Sequence, residues 1–175
     1  MVDNLPKWAV TLSDVGARGR SFTRNSLSAE DASAFAVWLG VEAVEAFAID
    51  VTVTPYRGDG LAVRGRVQAD VRQTCVVSLE PMTSHLDEEI EATFRPEETR
   101  ARAPLVDDED GLAIDASADV DDLLVEGRVD IAQIAAEFLT LAVDPYPRRP
   151  DAALALPDDG AAGSPFATLA RLKKD

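Results

Sequence analysis

The chain has 175 residues, enough for one domain of ordinary size or a domain with tails, and its 46% hydrophobic content supports one modest core. Lys plus Arg number 17 against 32 Asp plus Glu, a formal charge of -15. That balance counts against a general phosphate-backbone binder and against an anionic membrane surface, because both depend on surplus Lys and Arg. No apolar run approaches the ~18 residues of a spanning helix. Met1 to Val10 lacks the charged, apolar and small-residue order of a signal peptide. These features predict a soluble, cytoplasmic protein. The single cysteine, Cys75, has no internal disulfide partner.

The charge is unevenly spread. Residues 80–126 hold 3 basic and 16 acidic residues, a net of -13, while the segments before and after each carry -1. Two readings fit this run: a solvated loop that aids solubility, or a surface that steers a basic partner towards the protein.

Trp8 to Leu12 reads as a short strand, and Arg18, Arg20 and Arg24 follow in a Gly/Ser-containing loop. Ser28 is placed as a helix N-cap with Asp31 three residues on. Ala32, Phe35, Ala36 and Leu39 recur at helical spacing, and Gly40 can end the helix in a left-handed conformation. The spacing predicts a helix over 29–39. Phe47, Ile49, Val51 and Val53 then alternate with polar or small residues, the period of a half-buried strand.

Pro55 and the Arg57-Gly58-Asp59-Gly60 turn separate this strand from a second. Its inward row is Leu61, Val63, Val67, Ala69 and Val71; Arg64, Arg66 and Arg72 lie outward. Gly65 falls on the inward row, which predicts a bulge or the close approach of another backbone. Cys75 to Leu79 reads as a short apolar strand, with a turn at Glu80-Pro81. Leu86 to Phe94 reads as a further strand, with Asp87, Glu89 and Glu91 on its polar face. The outward arginines invite a nucleic-acid stripe. The preferred reading is that they form cross-strand ion pairs with those carboxylates.

Residues 96–125 read as an irregular acidic excursion containing Asp107, Asp108, Glu109 and Asp110. A helix is predicted from Asp130, a candidate N-cap with Gln133 at the third position. Ile131, Ile134, Ala135, Phe138 and Leu141 would form its core face, and Pro145 and Pro147 would stop it. Residues 148–164 read as a linker, and 165–172 as a terminal helix whose Phe166, Leu169 and Leu172 share one side. The expected organisation is α+β. A single domain over 1–147 holds an antiparallel meander of about four or more strands packed with two main helices. A linker and short C-terminal helix occupy 148–175.

Catalytic constellations are scarce. The lone histidine, His85, rules out a histidine-rich metal site and reads best as a turn residue. A Cys75–His85 pair across a hairpin is conceivable, but a small buried hydrophobe is the simpler role for Cys75. The acidic run fails the calcium-loop pattern: aligning Gly111 with the loop glycine puts Val106 and Ser117 at positions that need carboxylates. No Gly-Lys-Ser/Thr phosphate loop is present. No catalytic residue, metal or cofactor is therefore expected, and a cysteine- or metal-dependent hydrolase is the least supported class.

The order of features resembles a known family. The residues are Gly65 and its strand, Cys75-Val76-Val77-Ser78-Leu79-Glu80-Pro81, and Phe94-Arg95-Pro96. After an acidic gap come Val129-Asp130-Ile131, Glu137, Leu139-Thr140-Leu141 and Pro145, then Pro165-Phe166-Ala167-Thr168-Leu169. Together they resemble the YceD family, the large ribosomal RNA subunit accumulation proteins, over about residues 40 to 172. The resemblance implies a noncatalytic role in synthesis, processing or stability of large-subunit (23S) ribosomal RNA. Many relatives carry two cysteines separated by two residues, a zinc-like pattern. Here Ser78 stands at the second position, so zinc is not carried over.

Two partner classes follow. A basic ribosomal or ribosome-assembly protein would meet Asp107, Asp108, Glu109 and Asp110; the Phe166, Leu169, Leu172 stripe would dock either on the protein's own core, the favoured reading, or on that partner. Ribosomal RNA would instead meet Arg64, Arg66 and Arg72. No membrane partner is expected.

Overall fold

The computed structural model describes residues 5–99, 105–108, 111–114 and 121–153, with the backbone alone for 105–108 and 111–114. In chain order the elements are β1 (Ala9–Thr11), β2 (Arg20–Arg24), α1 (Ala29–Leu39), β3 (Ala43–Tyr56), β4 (Gly60–Thr74) and β5 (Pro81–Arg95). Then come β6 (Leu105–Asp108), β7 (Gly111–Ile114), β8 (Asp122–Leu123), β9 (Arg128–Asp130) and α2 (Ile131–Ala142). The fold is α+β. A five-stranded sheet runs in the order β2-β3-β4-β5-β8, antiparallel except for the parallel β5–β8 pair, and two helices accompany it.

The period-two rows explain the sheet. Phe47, Ile49, Val51 and Val53 of β3, Val63, Val67, Ala69 and Val71 of β4, and Leu86 and Ile90 of β5 are all buried on one face. Phe35 and Leu39 of α1 and Ile131, Ala135 and Leu139 of α2 close the core over that face. Gly65 is paired with Val51, and a Cβ there would lie 2.1 Å from the Asp50 carbonyl oxygen and 2.6 Å from the Val51 Cα. Its φ of 153° adds strain for any side chain. The close approach is realised at Gly65; the bulge in this ladder lies elsewhere, at Glu45 between Val44 and Ala46.

The helix boundaries follow from their caps. Ser28 accepts a hydrogen bond from the Asp31 N–H at 3.1 Å, and Gly40 ends α1 at φ 66°. Asp130 Oδ1 accepts from the Ala132 N–H at 3.1 Å, and also from the Trp8 N–H at 3.1 Å. One carboxylate thus caps α2 and holds the β1–β9 ribbon to it. Gln133 does not complete a capping box: its amide donates to Glu137 at 2.8 Å.

Several expectations are corrected. The Arg18–Arg24 stretch is not all loop, because Arg20–Arg24 pairs with Ile49–Val53 as an edge strand. Phe22 stacks on Trp8 at 5.6 Å, and the Arg24 guanidinium lies 4.5 Å above the Trp8 ring. Cys75–Leu79 is a turn, closed by Leu79 N–H to the Cys75 carbonyl and by Cys75 N–H to the Glu80 carbonyl, each 2.9 Å, with Leu79 at φ 58°. β5 begins at Pro81, so His85 is a strand residue opposite Asp70. The acidic excursion contains the β6–β7 hairpin and β8. Leu141 is 85% exposed, and Leu139 takes the buried position. At ~100° per residue, Leu141 falls off the face centred on Ile131, Ala135 and Leu139.

Candidate functional site

The face of the sheet opposite the helices carries the outward arginines. Arg64 Nε lies 2.9 Å from Glu91 Oε1, in direct register across β4 and β5. Arg66 faces Glu89 in the ladder but reaches diagonally to Asp87, with Nη1 at 3.0 and 2.9 Å from its two oxygens. Arg72 lies 3.6 Å from Glu45 of β3, which also accepts from the Thr83 hydroxyl. All three arginines are thus held by carboxylates. Each pair is largely solvent-exposed and contributes ~0–1 kcal/mol to stability. Their effect on recognition is larger, since Glu45, Asp50, Asp70, Asp87, Glu89 and Glu91 share this face with them. The surface is negative in sum.

Cys75 occupies a different environment. It is fully buried beyond the end of β4, and its Sγ accepts N–H bonds from Ser78 at 3.5 Å and from Arg149 at 3.4 Å. The Ser78 hydroxyl, followed by these backbone donors, brings the thiol down to about 6, with burial opposing. The Arg149 side chain bonds Glu80 and Asp151, so the segment after α2 is laced onto the β4–β5 turn. Val76 N–H adds a bond to the Pro147 carbonyl at 2.9 Å. The expected linker from 148 therefore begins as an attached segment.

His85 is not joined to Cys75. It lies five rungs along the ladder, with Nδ1 2.6 Å from Asp70 Oδ1. The Cys75 turn does not fit zinc either. It offers one thiol and one serine hydroxyl, and no group of three or more metal-ligating side chains occurs among the described residues.

Of the acidic candidates, Asp107 and Asp108 lie on β6; Glu109 and Asp110 fall outside the described residues. Phe166, Leu169 and Leu172 also fall outside them.

Two concave regions were not foreseen from the sequence. One, of about 450 Å³, lies over the start of β3 beside Leu27 and Ala32. The other, of about 500 Å³, lies between α2 and the β1–β9 ribbon, where Leu123 and Val125 are exposed. The first arises where β2 leaves the start of the longer β3 uncovered, a consequence of non-local pairing. No helix among the described residues is long and apolar enough to cross a membrane.

No curated protein and no solved structure matches the chain. A family model does, over residues 63–173, from within β4 through the Cys75 turn, the acidic excursion and α2. The chain therefore belongs to the YceD family, described as large ribosomal RNA subunit accumulation protein YceD.

Proposed function

We propose that this protein is a noncatalytic, cytoplasmic factor supporting the synthesis, processing or stability of large-subunit ribosomal RNA. It acts in ribosome assembly by holding a basic ribosomal or assembly protein. The observation that carries this reading is the net charge of -13 on residues 80–126, inside the span matched by the family. Such a field speeds encounter with a basic partner and opposes direct contact with RNA. The carboxylates that occupy Arg64, Arg66 and Arg72 support the same choice. Asp107, Asp108, Glu109 and Asp110 supply the long-range attraction, and Phe166, Leu169 and Leu172 an apolar contact.

Retention of protein and RNA on the immobilised full chain, at low and at moderate salt, tests this. A basic ribosomal or assembly protein should be retained at low salt and released as salt screens the charges. Ribosomal RNA retained with no protein would overturn the reading in favour of direct RNA binding. Truncation after Gly163 defines the tail: lost partner binding at an unchanged melting temperature assigns Phe166, Leu169 and Leu172 to the partner, and a lowered melting temperature assigns them to the protein's own core.

A further inference from the structure

The first half of β3 offers an unpaired edge. β2 pairs with β3 only over Ile49–Val53, while β3 begins at Ala43. Residues 43–48 have β4 on one side and, among the described residues, no strand on the other. Alternate residues of an antiparallel strand turn their N–H and C=O groups to each side, so this edge carries donors and acceptors available to an added strand.

The groove of about 450 Å³ runs over the same edge. Leu27, Ala32, Val44 and Phe47 belong to its apolar lining. Ala46 and Ala48 have short side chains, which leave room for those of an incoming strand. Its carboxylates are Glu45 and Asp70, and its lining holds no lysine or arginine.

Backbone, shape and charge together select an occupant. We propose that the Ala43–Ala48 edge of β3 receives an extended basic segment of a partner protein as an additional strand. Its alternate apolar side chains cover Leu27 and Phe47, and its intervening Lys or Arg side chains meet Glu45 and Asp70. This inference rests on the reading that the chain holds a basic protein, and assigns the place where it does so. A second copy is a poor occupant. A second copy would bring the same edge, whose lining holds Glu45 and Asp70 and no lysine or arginine to pair with them.

The probe is a nine-residue peptide alternating lysine and valine, titrated into the full chain while amide shifts and hydrogen exchange are followed. Two further versions are N-methylated on either the odd or the even amides. The expected result is binding with at least tenfold slower exchange at edge amides within Ala43–Ala48. One methylated version should lose at least tenfold in affinity and the other should keep it, because only one set of amides faces β3. Ala46→Arg, at an exposed position, should weaken the parent peptide at least tenfold with an unchanged melting temperature, and Asp70→Asn should weaken it severalfold.

Equal affinity of the two methylated versions, perturbation confined to the Leu123–Val125 cleft, or equal binding of a glutamate–valine peptide would each overturn the proposal. Concentration-dependent dimerisation that protects the same amides would also overturn it, in favour of a second copy. An Ala46→Arg chain that still retains its basic protein defeats this site and leaves the proposed function standing. A wild-type chain that retains no basic protein defeats the function, while the peptide titration still decides whether the edge accepts a strand.

Discussion

Arg149 donates its backbone N–H to Cys75 Sγ at 3.4 Å, joining two points 74 residues apart in the chain. Through this contact the segment following α2 is fastened to the turn between the two longest strands. Cys75 thus acts as an acceptor that organises a junction, and its full burial keeps the sulfur from external electrophiles.

The thiol should give this junction a pH dependence. Its folded value of about 6 lies below the ordinary 9.0, so the unfolded chain binds the proton more tightly. The resulting stabilisation is fully present above about pH 9 and is lost as pH falls through 6. Between these limits the wild type should gain stability with rising pH relative to Cys75→Ala, read from denaturant melts of both chains at several pH values. Parallel curves for the two chains would refute the assignment.

Cys75→Ser should lower the melting temperature yet leave ribosomal RNA accumulation largely intact once expression is matched. Loss of accumulation with an unchanged melting curve would show that the thiol has a direct functional role.

Gly65→Ala should be severely destabilising, by about 3 kcal/mol or more, since a methyl group cannot fit 2.1 Å from the Asp50 carbonyl without separating β3 from β4. Equilibrium unfolding measures this. An effect below about 1 kcal/mol would mean that the two strands part easily there.

Asp130→Ala should cost about 2 kcal/mol, combining a lost N-cap with the lost bond to the Trp8 N–H. Asp130→Asn should recover much of it, because the amide oxygen can accept the same bonds. Thermal melts of the two variants provide the comparison.

Replacing Asp107, Asp108, Glu109 and Asp110 by Asn and Gln should slow association with a basic partner and flatten its salt dependence, with little change in dissociation. Stopped-flow association at several ionic strengths is the measurement. An identical salt dependence before and after would reduce the run to a solubility device.

The sequence alone determined the elements governed by local physics. α1 occupies 29–39 as expected because Ser28 and Gly40 are caps whose chemistry acts within a turn. The long strands were legible in their two-residue period, and the family in the order of residues from Gly65 onwards. The ion pairing of Arg64 and Arg66 was foreseeable because antiparallel neighbours set opposite charges within reach.

Tertiary structure decided what depends on distant partners. The Arg20–Arg24 stretch becomes a strand only because Ile49–Val53 offers a free edge and Trp8 a surface for Phe22 and Arg24. The Cys75 turn takes its character from the Arg149 and Pro147 backbone, which arrives after the whole of α2. The open edge at Ala43–Ala48 exists because β2 is shorter than the strand it pairs with. Periodicity along one strand reports which face is buried, but carries no information about how much of its edge a neighbour will cover.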